Sequence, residues 1–512
     1  MKELNDILKG IKVWTVYGDT SVQITGITAD SRAVTAGNLF VAVKGTLSDG
    51  HDYIEKAIGA GAIAVICGKA PEKNAIGVTY ILAENPAEAL GMAASAFYDY
   101  PSEKLRLTGV TGTNGKTTIA TLLYNMFEAL GYKCGLLSTV CNYVHLREEP
   151  ATHTTPDPVK LNALLADMVT AGCEYAFMEV SSHAIDQKRI AGLHFAGGIF
   201  TNLTHDHLDY HKTFANYLTA KKKFFDDLPS TAFALVNTDD RNGNVMVQNC
   251  RAMKQTFSMH SMASFRGSIT EQGFEGMLMK INGTEVWTRF LGDYNASNLV
   301  AVYGGSVLLG AGKDEVLTAL SNLVPVAGRM EVIRSADGIT GIVDYAHTPD
   351  AVENVIGAVN RLRQGNGKLI VVVGAGGDRD RTKRPVMAAI AAIAYLVYTA
   401  WTQNWGGIQQ KVAEVGAFLT PIIDNIVAVL ARMWNWIKVN LLPLFAALGR
   451  LVMAVVGVAF RTIANYVQST LIPALKNLWS WFSMKIMPIL TEVGDFLSNA
   501  FKKAFDGIAK AI

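Results

Sequence analysis

The chain has 512 residues with a formal net charge of +2, and half of its residues are hydrophobic. That length allows three or four domains, and the nearly balanced charge argues against wholesale binding of nucleic acid. The net charge is +5 over residues 393–512 and −3 over the first 392, and six of the eight tryptophans lie in the C-terminal part. This abrupt change in composition predicts a domain boundary near residue 392.

The five cysteines are scattered and odd in number, and no two of them form a C-x-x-C pair. This pattern is typical of reduced, mostly buried thiols in a cytoplasmic protein. The first residues, Met1–Asp6, carry acidic side chains and lack an apolar core, so no signal peptide is expected.

Residues 1–104 mix short β-rich runs with helical stretches, which predicts a small α/β domain. The predicted strands are Ile24–Thr28, Leu39–Val43, Ala62–Cys67 and Val78–Leu82, and the predicted helices are Tyr53–Ala60 and Pro86–Tyr98. Small polar residues follow the first strand at Thr28–Arg32, and such residues serve both ligand sites and turns. Spacing favours the turn.

The stretch Thr108–Thr118 joins an apolar run to a segment with the apolar spacing of a helix. A glycine-rich turn between a strand and a helix directs backbone N–H groups into one concavity at the positive end of the helix dipole. Lys116 can then reach the outer phosphates of ATP, and the Thr117 hydroxyl can hold Mg²⁺. Val110 stands where the usual pattern has its first glycine, so the match is to a shorter Gly-Thr-Asn-Gly-Lys-Thr-Thr form.

Alternating strand and helix signals follow, which predict a parallel sheet with right-handed crossovers. Glu179 lies near the end of the predicted strand 175–180, where a carboxylate beside a phosphate loop can hold Mg²⁺. The predicted strand 197–201 leads into Thr201–His211, which contains three histidines and two aspartates. Because no C-x-x-C or H-E-x-x-H completes a zinc site, we expect one histidine on Mg²⁺ and the others in polar contacts, with zinc as the alternative. Composition assigns Lys221–Lys223, on the next helix, to a solvated basic face.

Four motifs of this chain occur in the order seen in the Mur ligases. They are Thr-Gly-Thr-Asn-Gly-Lys-Thr-Thr, Glu-Val-Ser-Ser-His, Thr-Asn-Leu-Thr-His-Asp-His-Leu-Asp-Tyr-His and Gly-Asp-Tyr-Asn-Ala-Ser-Asn. The chain resembles that family over residues 1 to about 392, and Thr-Ala-Asp-Ser-Arg and His-Thr-Thr-Pro-Asp indicate the branch that adds the third residue of the peptidoglycan stem peptide. The resemblance implies an ATP-dependent ligase that joins diaminopimelate, or lysine, to UDP-MurNAc-L-Ala-D-Glu through an acyl phosphate.

The resemblance also implies roles for individual residues. ATP would be bound by Gly112, Thr113, Asn114, Gly115, Lys116, Thr117 and Thr118, by Asn295 at the adenine, and by Arg329 and His347. The dipeptide substrate would be bound by Ser31, through its UDP moiety, and by Thr154, Thr155, Ser181, Gln187 and Arg189, and the incoming amino acid by Arg379. Mg²⁺ would be held by Thr117, Glu179, His207 and an N-carboxylated Lys221, and the catalytic residues would be Lys116, Glu179, His207 and Lys221.

The implied fold is α/β, with a UDP-substrate domain (1–104), a central ATP-binding domain with a parallel sheet (105–326) and an incomplete Rossmann-like domain (327–392). In the last of these, a predicted strand, Leu369–Val373, ends in the glycine- and arginine-rich stretch Gly374–Pro385, which is predicted to be an anion site, with a charged surface loop as the alternative. The sequence lacks the Asp-Asn-Pro-Arg motif with which the family recognises the amino acid. Whether this chain is active, and whether it takes diaminopimelate or lysine, is therefore left open.

Residues 393–512 are predicted to form a helical hydrophobic tail. The segment 493–512 has the period of an amphipathic helix, and Val386–Trp401 is apolar enough for a membrane span. Contact with a membrane and packing of these helices on one another are equal alternatives for residues 386–512. The tryptophan-rich texture weakly resembles phage tail tape-measure proteins.

Three functions are carried forward. The first is the peptidoglycan ligase, with residues 1–392 expected to be monomeric. The second is a related ligase such as folylpolyglutamate synthetase, against which the Thr-Ala-Asp-Ser-Arg and His-Thr-Thr-Pro-Asp segments argue. The third is an inactive nucleotide-binding fragment fused to a membrane-interacting or tape-measure-like structural segment, which the missing motif favours.

Overall fold

A computed structural model describes residues 1–45, 48–69, 75–336, 338–363, 368–374, 384–391, 410, 439 and 466–488. The chain divides into two units, Met1–Tyr398 and Thr399–Ile512. The described strands of the first unit form four sheets, of five, eleven, two and two strands.

The N-terminal domain consists of a five-stranded sheet with helices packed on it. Its strands are β1 (Lys2–Glu3), β2 (Val13–Tyr17), β3 (Gln23–Ile24), β4 (Gly26–Thr28), β5 (Asn38–Val41), β6 (Ala62–Cys67) and β7 (Thr79–Ala83). Its helices are α1 (Leu4–Ile7), α2 (Ile54–Gly59) and α3 (Pro86–Phe97). The sheet order is β2–β7–β6–β5–β4, with only β2 antiparallel to its neighbour, and β1 pairs separately with β3.

Alternate residues of these strands enter two apolar clusters. Leu39 and Ile66 belong to one cluster, whereas Phe40 and Val65 belong to the other. Successive side chains of a strand point to opposite faces, so both faces of this sheet are covered. The other predicted strands and helices of this domain are confirmed to within two residues at their ends, but the predicted strand Ile24–Thr28 is two strands, β3 and β4, in different sheets.

The central domain consists of the eleven-stranded sheet and eight helices. Its strands are β8 (Arg106–Thr111), β9 (Cys134–Leu137), β10 (Cys141–Val144), β11 (Arg147–Pro150), β12 (Tyr175–Glu179), β13 (Gly197–Phe200), β14 (Phe233–Asn237), β15 (Met253–Ser258), β16 (Phe265–Gly273), β17 (Gly276–Ile281) and β18 (Thr284–Thr288). Its helices are α4 (Lys116–Ala129), α5 (Pro158–Thr170), α6 (Ser182–Asp186), α7 (Leu208–His211), α8 (Phe214–Asp226), α9 (Gly243–Met246), α10 (Asp293–Leu308) and α11 (Lys313–Asn322).

The middle of this sheet is parallel, as predicted, in the order β9–β12–β8–β13–β14–β15. All five residues of β12 and of β14 are buried because helices cover both faces of the sheet. The carboxyl ends of β8, β9, β12 and β13 meet at one edge, and the polar residues that follow these strands are therefore close together.

The third domain is represented by a two-stranded antiparallel sheet, β19 (Glu331–Arg334) and β20 (Thr340–Val343), and by α12 (Pro349–Leu362). Residues 384–391 are also helical. The predicted strand Leu369–Val373 is wrong, because residues 368–374 are irregular and no described strand pairs with them. Ile370 and Val372 are 76% and 93% exposed. An apolar run forms a strand only where a neighbouring strand accepts its hydrogen bonds.

In the second unit the structure describes a π-helical segment, Val467–Leu471, and α13 (Ile472–Lys485). None of the described helices is long and apolar enough to cross a membrane. The predicted apolar segment beyond residue 391 and the predicted amphipathic helix 493–512 lie outside the described residues.

Candidate active site

The glycine-rich loop between β8 and α4 lies at the carboxyl edge of the central sheet. Gly112 and Gly115 have φ angles of +150° and +87°, which side chains rarely allow. A Cβ on Gly112 would overlap the Thr201 hydroxyl, and a Cβ on Gly115 would lie 2.6 Å from Asn298 Oδ1. Conformation and close contact therefore both require glycine at these two positions.

The residues after β13 hold this loop in place. The Asn202 carbonyl accepts a hydrogen bond from Thr113 N at 2.8 Å, and its side-chain oxygen accepts one from Asn114 N at 2.9 Å. The Thr201 hydroxyl donates to the Asn114 carbonyl at 2.6 Å. The N–H groups in the first turn of α4 have no acceptor within the helix, so they are available for the oxygens of a phosphate group.

Two lysine amines meet at the loop carbonyls. Lys116 Nζ donates to the carbonyls of Gly112 and Thr113 at 3.0 and 2.8 Å, and Lys221 Nζ donates to the Gly112 carbonyl at 2.8 Å. Lys221 is 1% exposed, so the composition-based assignment to a solvated face is wrong for this residue. Burial, together with the positive charge of Lys116, holds the pKa of Lys221 well below its ordinary value of 10.5.

The Glu179 carboxylate, at the end of β12, faces the phosphate loop and is buried. Its Oε1 accepts hydrogen bonds from the Thr117 hydroxyl at 2.8 Å, from Thr139 N at 2.7 Å and from the Thr139 hydroxyl at 2.9 Å. Arg329 Nη2 donates to the Thr117 hydroxyl at 3.0 Å. The three donors to Glu179 are neutral groups, and carboxylate and hydroxyl oxygens are the ligands that Mg²⁺ prefers.

Three buried or half-buried histidine rings lie close together around α7. The His207 ring packs edge-on against that of His183, with centroids 4.9 Å apart, and His211 lies 5.6 Å from His183. Burial lowers the pKa of His207 to about 3 and also lowers the pKa of His183 and His211. These imidazoles are therefore uncharged at neutral pH, the form that binds metals. His205 instead stacks on Phe214, and no group of three metal-ligating side chains occurs among the described residues.

The predicted dipeptide-binding residues are hydrogen-bonded to one another beside Glu179. The Thr155 hydroxyl donates to the Glu179 carbonyl at 2.8 Å, and Ser181 caps α6 by accepting from Ala184 N. Arg189 Nη1 donates to the Thr155 carbonyl at 3.0 Å, and its Nε donates to Gln187 Oε1 at 3.0 Å. This arrangement places a guanidinium and several hydroxyls next to the phosphate loop.

These groups line a cavity of about 770 Å³. The predicted site residues that line it are Thr113, Asn114, Gly115, Lys116, Thr117, Thr118, Thr154, Thr155, Glu179, Ser181, Arg189, His207, Lys221, Asn295, Arg329 and His347. Gly112 and Gln187 support the wall through the hydrogen bonds described above. Ser31, on the turn after β4, is outside this cavity, and Arg379 lies outside the described residues.

Asn295 and Asn298, the two asparagines of the Gly-Asp-Tyr-Asn-Ala-Ser-Asn motif, are hydrogen-bonded to each other in the first turns of α10. Asn295 Nδ2 donates to the Leu291 carbonyl at 2.9 Å, and its side-chain oxygen accepts from Asn298 Nδ2 at 3.3 Å. Asn298 also lies close to Gly115 of the phosphate loop, since a Cβ there would be 2.6 Å from its Oδ1. The pair therefore connects the wall of the cavity to the loop.

Sequence reasoning missed other residues that line the cavity, including Thr139, Asp344, Tyr345 and Asp350. Asp350, at the start of α12, accepts a hydrogen bond from Asn114 Nδ2 at 2.9 Å, and the Arg329 guanidinium lies over the Tyr345 ring. Burial raises the pKa of Asp344 and of Asp350. Two polar residues, Ser138 and Thr139, follow the apolar run of β9, and this was the available signal for Thr139. The Pro-Asp start of α12 is also ordinary helix-start chemistry and did not single out Asp350.

Loop N–H groups, the Lys116 amine and the Glu179 carboxylate lie around one cavity, and this combination suits the transfer of a phosphoryl group from a nucleoside triphosphate. The neighbouring hydroxyls and guanidinium suit an anionic acceptor, such as a carboxylate. The geometry therefore fits the activation of a carboxylate by phosphorylation.

Three family models match the chain. The Mur ligase middle domain matches residues 110–304, the Mur ligase family catalytic domain matches residues 23–98, and the Mur ligase glutamate ligase domain matches residues 328–420. The last match extends beyond residue 392, where composition predicts a boundary.

Several relatives share more than half of the aligned residues with this chain. The UDP-N-acetylmuramoyl-L-alanyl-D-glutamate–2,6-diaminopimelate ligase of Phocaeicola vulgatus is 59% identical over 386 residues, which are 75% of this chain and 80% of the relative. The enzyme of the same name from Bacteroides thetaiotaomicron is 57% identical over 391 residues, 76% of this chain and 81% of the relative.

Solved structures are similar to the same part of the chain. A structure of a UDP-N-acetylmuramoyl-L-alanyl-D-glutamate–2,6-diaminopimelate ligase has a TM-score of 0.63 and 28% identity, covering 77% of this chain and 81% of that protein. MurF from Acinetobacter baumannii, at 18% identity and a TM-score of 0.51, covers 69% of this chain and 76% of its own. The second likeness concerns the fold alone.

Proposed function

This chain belongs to the Mur ligase family of ATP-dependent ligases, and we propose that it joins 2,6-diaminopimelate to UDP-N-acetylmuramoyl-L-alanyl-D-glutamate in peptidoglycan synthesis. The observation that carries this proposal is the 59% identity to a ligase of that name along 80% of its length. The phosphate loop, the buried carboxylate and the anion-binding wall of the cavity are the groups that such a reaction needs.

In the proposed reaction a substrate carboxylate attacks the γ-phosphorus of ATP, which gives an acyl phosphate and ADP. The amine of diaminopimelate then attacks the acyl carbon, and phosphate leaves. The chain contributes position and charge. Lys116 and the first N–H groups of α4 hold the ATP phosphates, while Thr154, Thr155, Ser181 and Arg189 orient the dipeptide.

We propose that Mg²⁺ is held by Thr117, Glu179 and His207. The fit is supported by two hard oxygen donors and an imidazole that burial keeps uncharged. When bound, Mg²⁺ would neutralise the charge of the transferring phosphoryl group.

Lys221 is proposed to carry an N-carboxylate. Its low pKa supports this, because a neutral amine can attack CO₂, forming an N–C bond and releasing a proton to water. The resulting carbamate would offer anionic oxygens to a second Mg²⁺.

The roles of Ser31 for the UDP moiety and of Arg379 for the amino acid stay predictions, as do the domain boundaries, the monomeric state, the cytoplasmic location and the membrane or helix contacts of residues 386–512. Lysine also stays an alternative to diaminopimelate as the amino acid that is added, and the assay compares the two. The alternative of an inactive fragment fused to a structural segment gains no support from the comparisons.

The test is phosphate release by the full chain with ATP, Mg²⁺ and the UDP-muramoyl-dipeptide, with and without an added amino acid. We expect release that depends on diaminopimelate and is much slower with lysine. Absence of amine-dependent release, in a protein that still binds ATP, would overturn the proposal.

A further inference from the structure

Thr139 lies between the part of the cavity that contains Glu179 and the part that contains Thr154. It follows β9 at the carboxyl edge of the sheet, beside Glu179 on one side and Thr154 on the other. Its backbone N–H donates to Glu179 Oε1 at 2.7 Å, and its hydroxyl lies 2.9 Å from the same oxygen and 3.1 Å from the Thr154 hydroxyl. One side chain therefore contacts both the predicted metal ligand and a predicted dipeptide ligand.

The segment that carries Thr139 is fixed by its own hydrogen bonds. Ser138 N donates to Asn142 Oδ1 at 3.2 Å, and the Ser138 hydroxyl donates to the Cys141 carbonyl at 2.6 Å. β9 pairs in parallel with β12, which ends at Glu179. Because these contacts hold the backbone, the Thr139 hydroxyl can reorient while the backbone stays in place.

The Thr139 hydroxyl has one proton and two acceptors within reach. A hydrogen bond to a carboxylate is stronger than one to a neutral hydroxyl, so the Thr139 hydroxyl donates to Glu179 when no cation is bound there. A cation on Glu179 competes for the same oxygen electrons and weakens that bond. The Thr139 hydroxyl can then donate to the Thr154 oxygen instead. Thr154 accepts that hydrogen bond and donates its own hydroxyl proton to an anionic substrate.

We propose that Thr139 is a positioning residue that couples the binding of Mg·ATP to the binding of the dipeptide, through its shared hydroxyl proton. This inference rests on the proposed function. Coupling of this kind is reciprocal, so each ligand raises the affinity for the other by the same factor.

The experiment is isothermal titration of UDP-muramoyl-dipeptide into the full chain, with and without Mg²⁺ and a non-hydrolysable ATP analogue. The ratio of the two dissociation constants gives the coupling factor. We expect a factor in the range of about 5 to 150 for the unmodified chain. Thr139→Val should bring it close to 1, and Thr139→Ser should restore it because the hydroxyl returns. The apparent Mg²⁺ affinity of Thr139→Val, measured without the dipeptide, should not fall, because the hydroxyl that competes with the cation for Glu179 Oε1 is gone.

Thr108→Val is the matched control. Thr108 lies in β8 of the same sheet, is buried, and its hydroxyl has no hydrogen-bond partner among the described residues. Its coupling factor should equal that of the unmodified chain. Thr154→Val tests the same coupling if Thr139→Val fails to fold. It should bring the coupling factor close to 1 and leave the Mg²⁺ affinity unchanged.

An unmodified chain without coupling, or a Thr139→Val variant that weakens both ligands but keeps their coupling factor, would overturn the inference. The failure of the proposed function is a separate observation. It would appear as absent diaminopimelate-dependent phosphate release in the unmodified chain, whatever the coupling factor is.

Discussion

The central sheet and the third domain both contribute to the cavity wall, but they hold their residues differently. Every residue of β12 is buried, and the polar groups at its end are hydrogen-bonded to neighbouring strand ends. In the third domain Ile333, Val343 and Tyr345 are about half exposed. Its groups reach the central domain through individual contacts such as Asn114 to Asp350 and Thr117 to Arg329.

This difference separates two kinds of residue. A polar group at the end of a buried strand is held in one position, so its substitution should lower the rate of the reaction. A group held by hydrogen bonds from a half-exposed domain adds affinity, and its loss leaves the reacting centre in place. The following substitutions test that separation.

Lys221→Met should have the largest effect, because it removes a buried amine while nearly keeping the volume of the side chain. We expect turnover to fall about 1000-fold, the upper end for loss of one electrostatic group. Phosphate release at saturating substrates measures this. Lys223→Met, on the exposed face of the same helix, is the control and should keep turnover within twofold.

Lys221 also predicts a pH dependence of stability. The unfolded chain holds the Lys221 proton up to its ordinary pKa of 10.5, whereas the folded chain releases it at lower pH. Between these values the unfolded state binds more protons, so the free energy of unfolding rises with pH. Lys221→Met should flatten that rise, as followed by thermal unfolding from neutral pH upwards, and an unchanged slope would contradict the low pKa.

Gly112→Ala should weaken nucleotide binding about 100-fold. The substitution adds backbone strain at φ +150° and a clash with Thr201, each costing roughly 1 to 3 kcal/mol. Titration with ATP under non-turnover conditions measures the loss. Gly273→Ala, where the added Cβ meets open space, should leave binding unchanged; equal losses in both variants would show that the loop tolerates a side chain.

Local patterns were sufficient to predict the glycine-rich loop between β8 and α4 and the strands β12 and β13 beside it. The loop is defined by consecutive residues, and the parallel strands are continuous apolar runs whose burial comes from helices on both faces. Lys221 needed the family resemblance, since its burial depends on the packing of α8 against the loop. Composition alone placed it in solvent.

Features that depend on distant partners were not predictable in the same way. Thr139 and Asp350 reach the cavity because β9 ends beside β12 and α12 starts beside the phosphate loop. The strand predicted at Leu369–Val373 failed for the same reason, since pairing depends on a neighbour. One local signal was overlooked: Asn282 and Gly283, both at positive φ, join β17 to β18 as a tight hairpin turn.

Asp350→Ala tests the third-domain contact and should have an intermediate effect. Loss of the hydrogen bond between Asn114 and a charged carboxylate costs about 1.5 kcal/mol, which corresponds to about a tenfold higher KM for ATP. kcat should stay within about twofold because the reacting groups of the central sheet are unmoved. Glu353→Ala, on the exposed face of α12, is the control. A fall in kcat larger than the rise in KM would place Asp350 with the chemical groups and break the separation.

The smallest effect is expected on β20 of the third domain, and a matched pair of valines makes it informative. Val236 in β14 is fully buried, whereas Val343 in β20 is 47% exposed. Threonine has nearly the same shape and strand preference as valine, so Val→Thr mainly reports burial of the added hydroxyl. We expect Val236→Thr to lower the local free energy of opening by about 1 to 3 kcal/mol and Val343→Thr to change it by less than about 0.5 kcal/mol. Hydrogen exchange of peptides from the two sheets measures both values in one protein, because opening is reported locally. Equal losses would mean that the third-domain sheet is as tightly packed as the central one, and the different roles assigned to their residues would lose their physical basis.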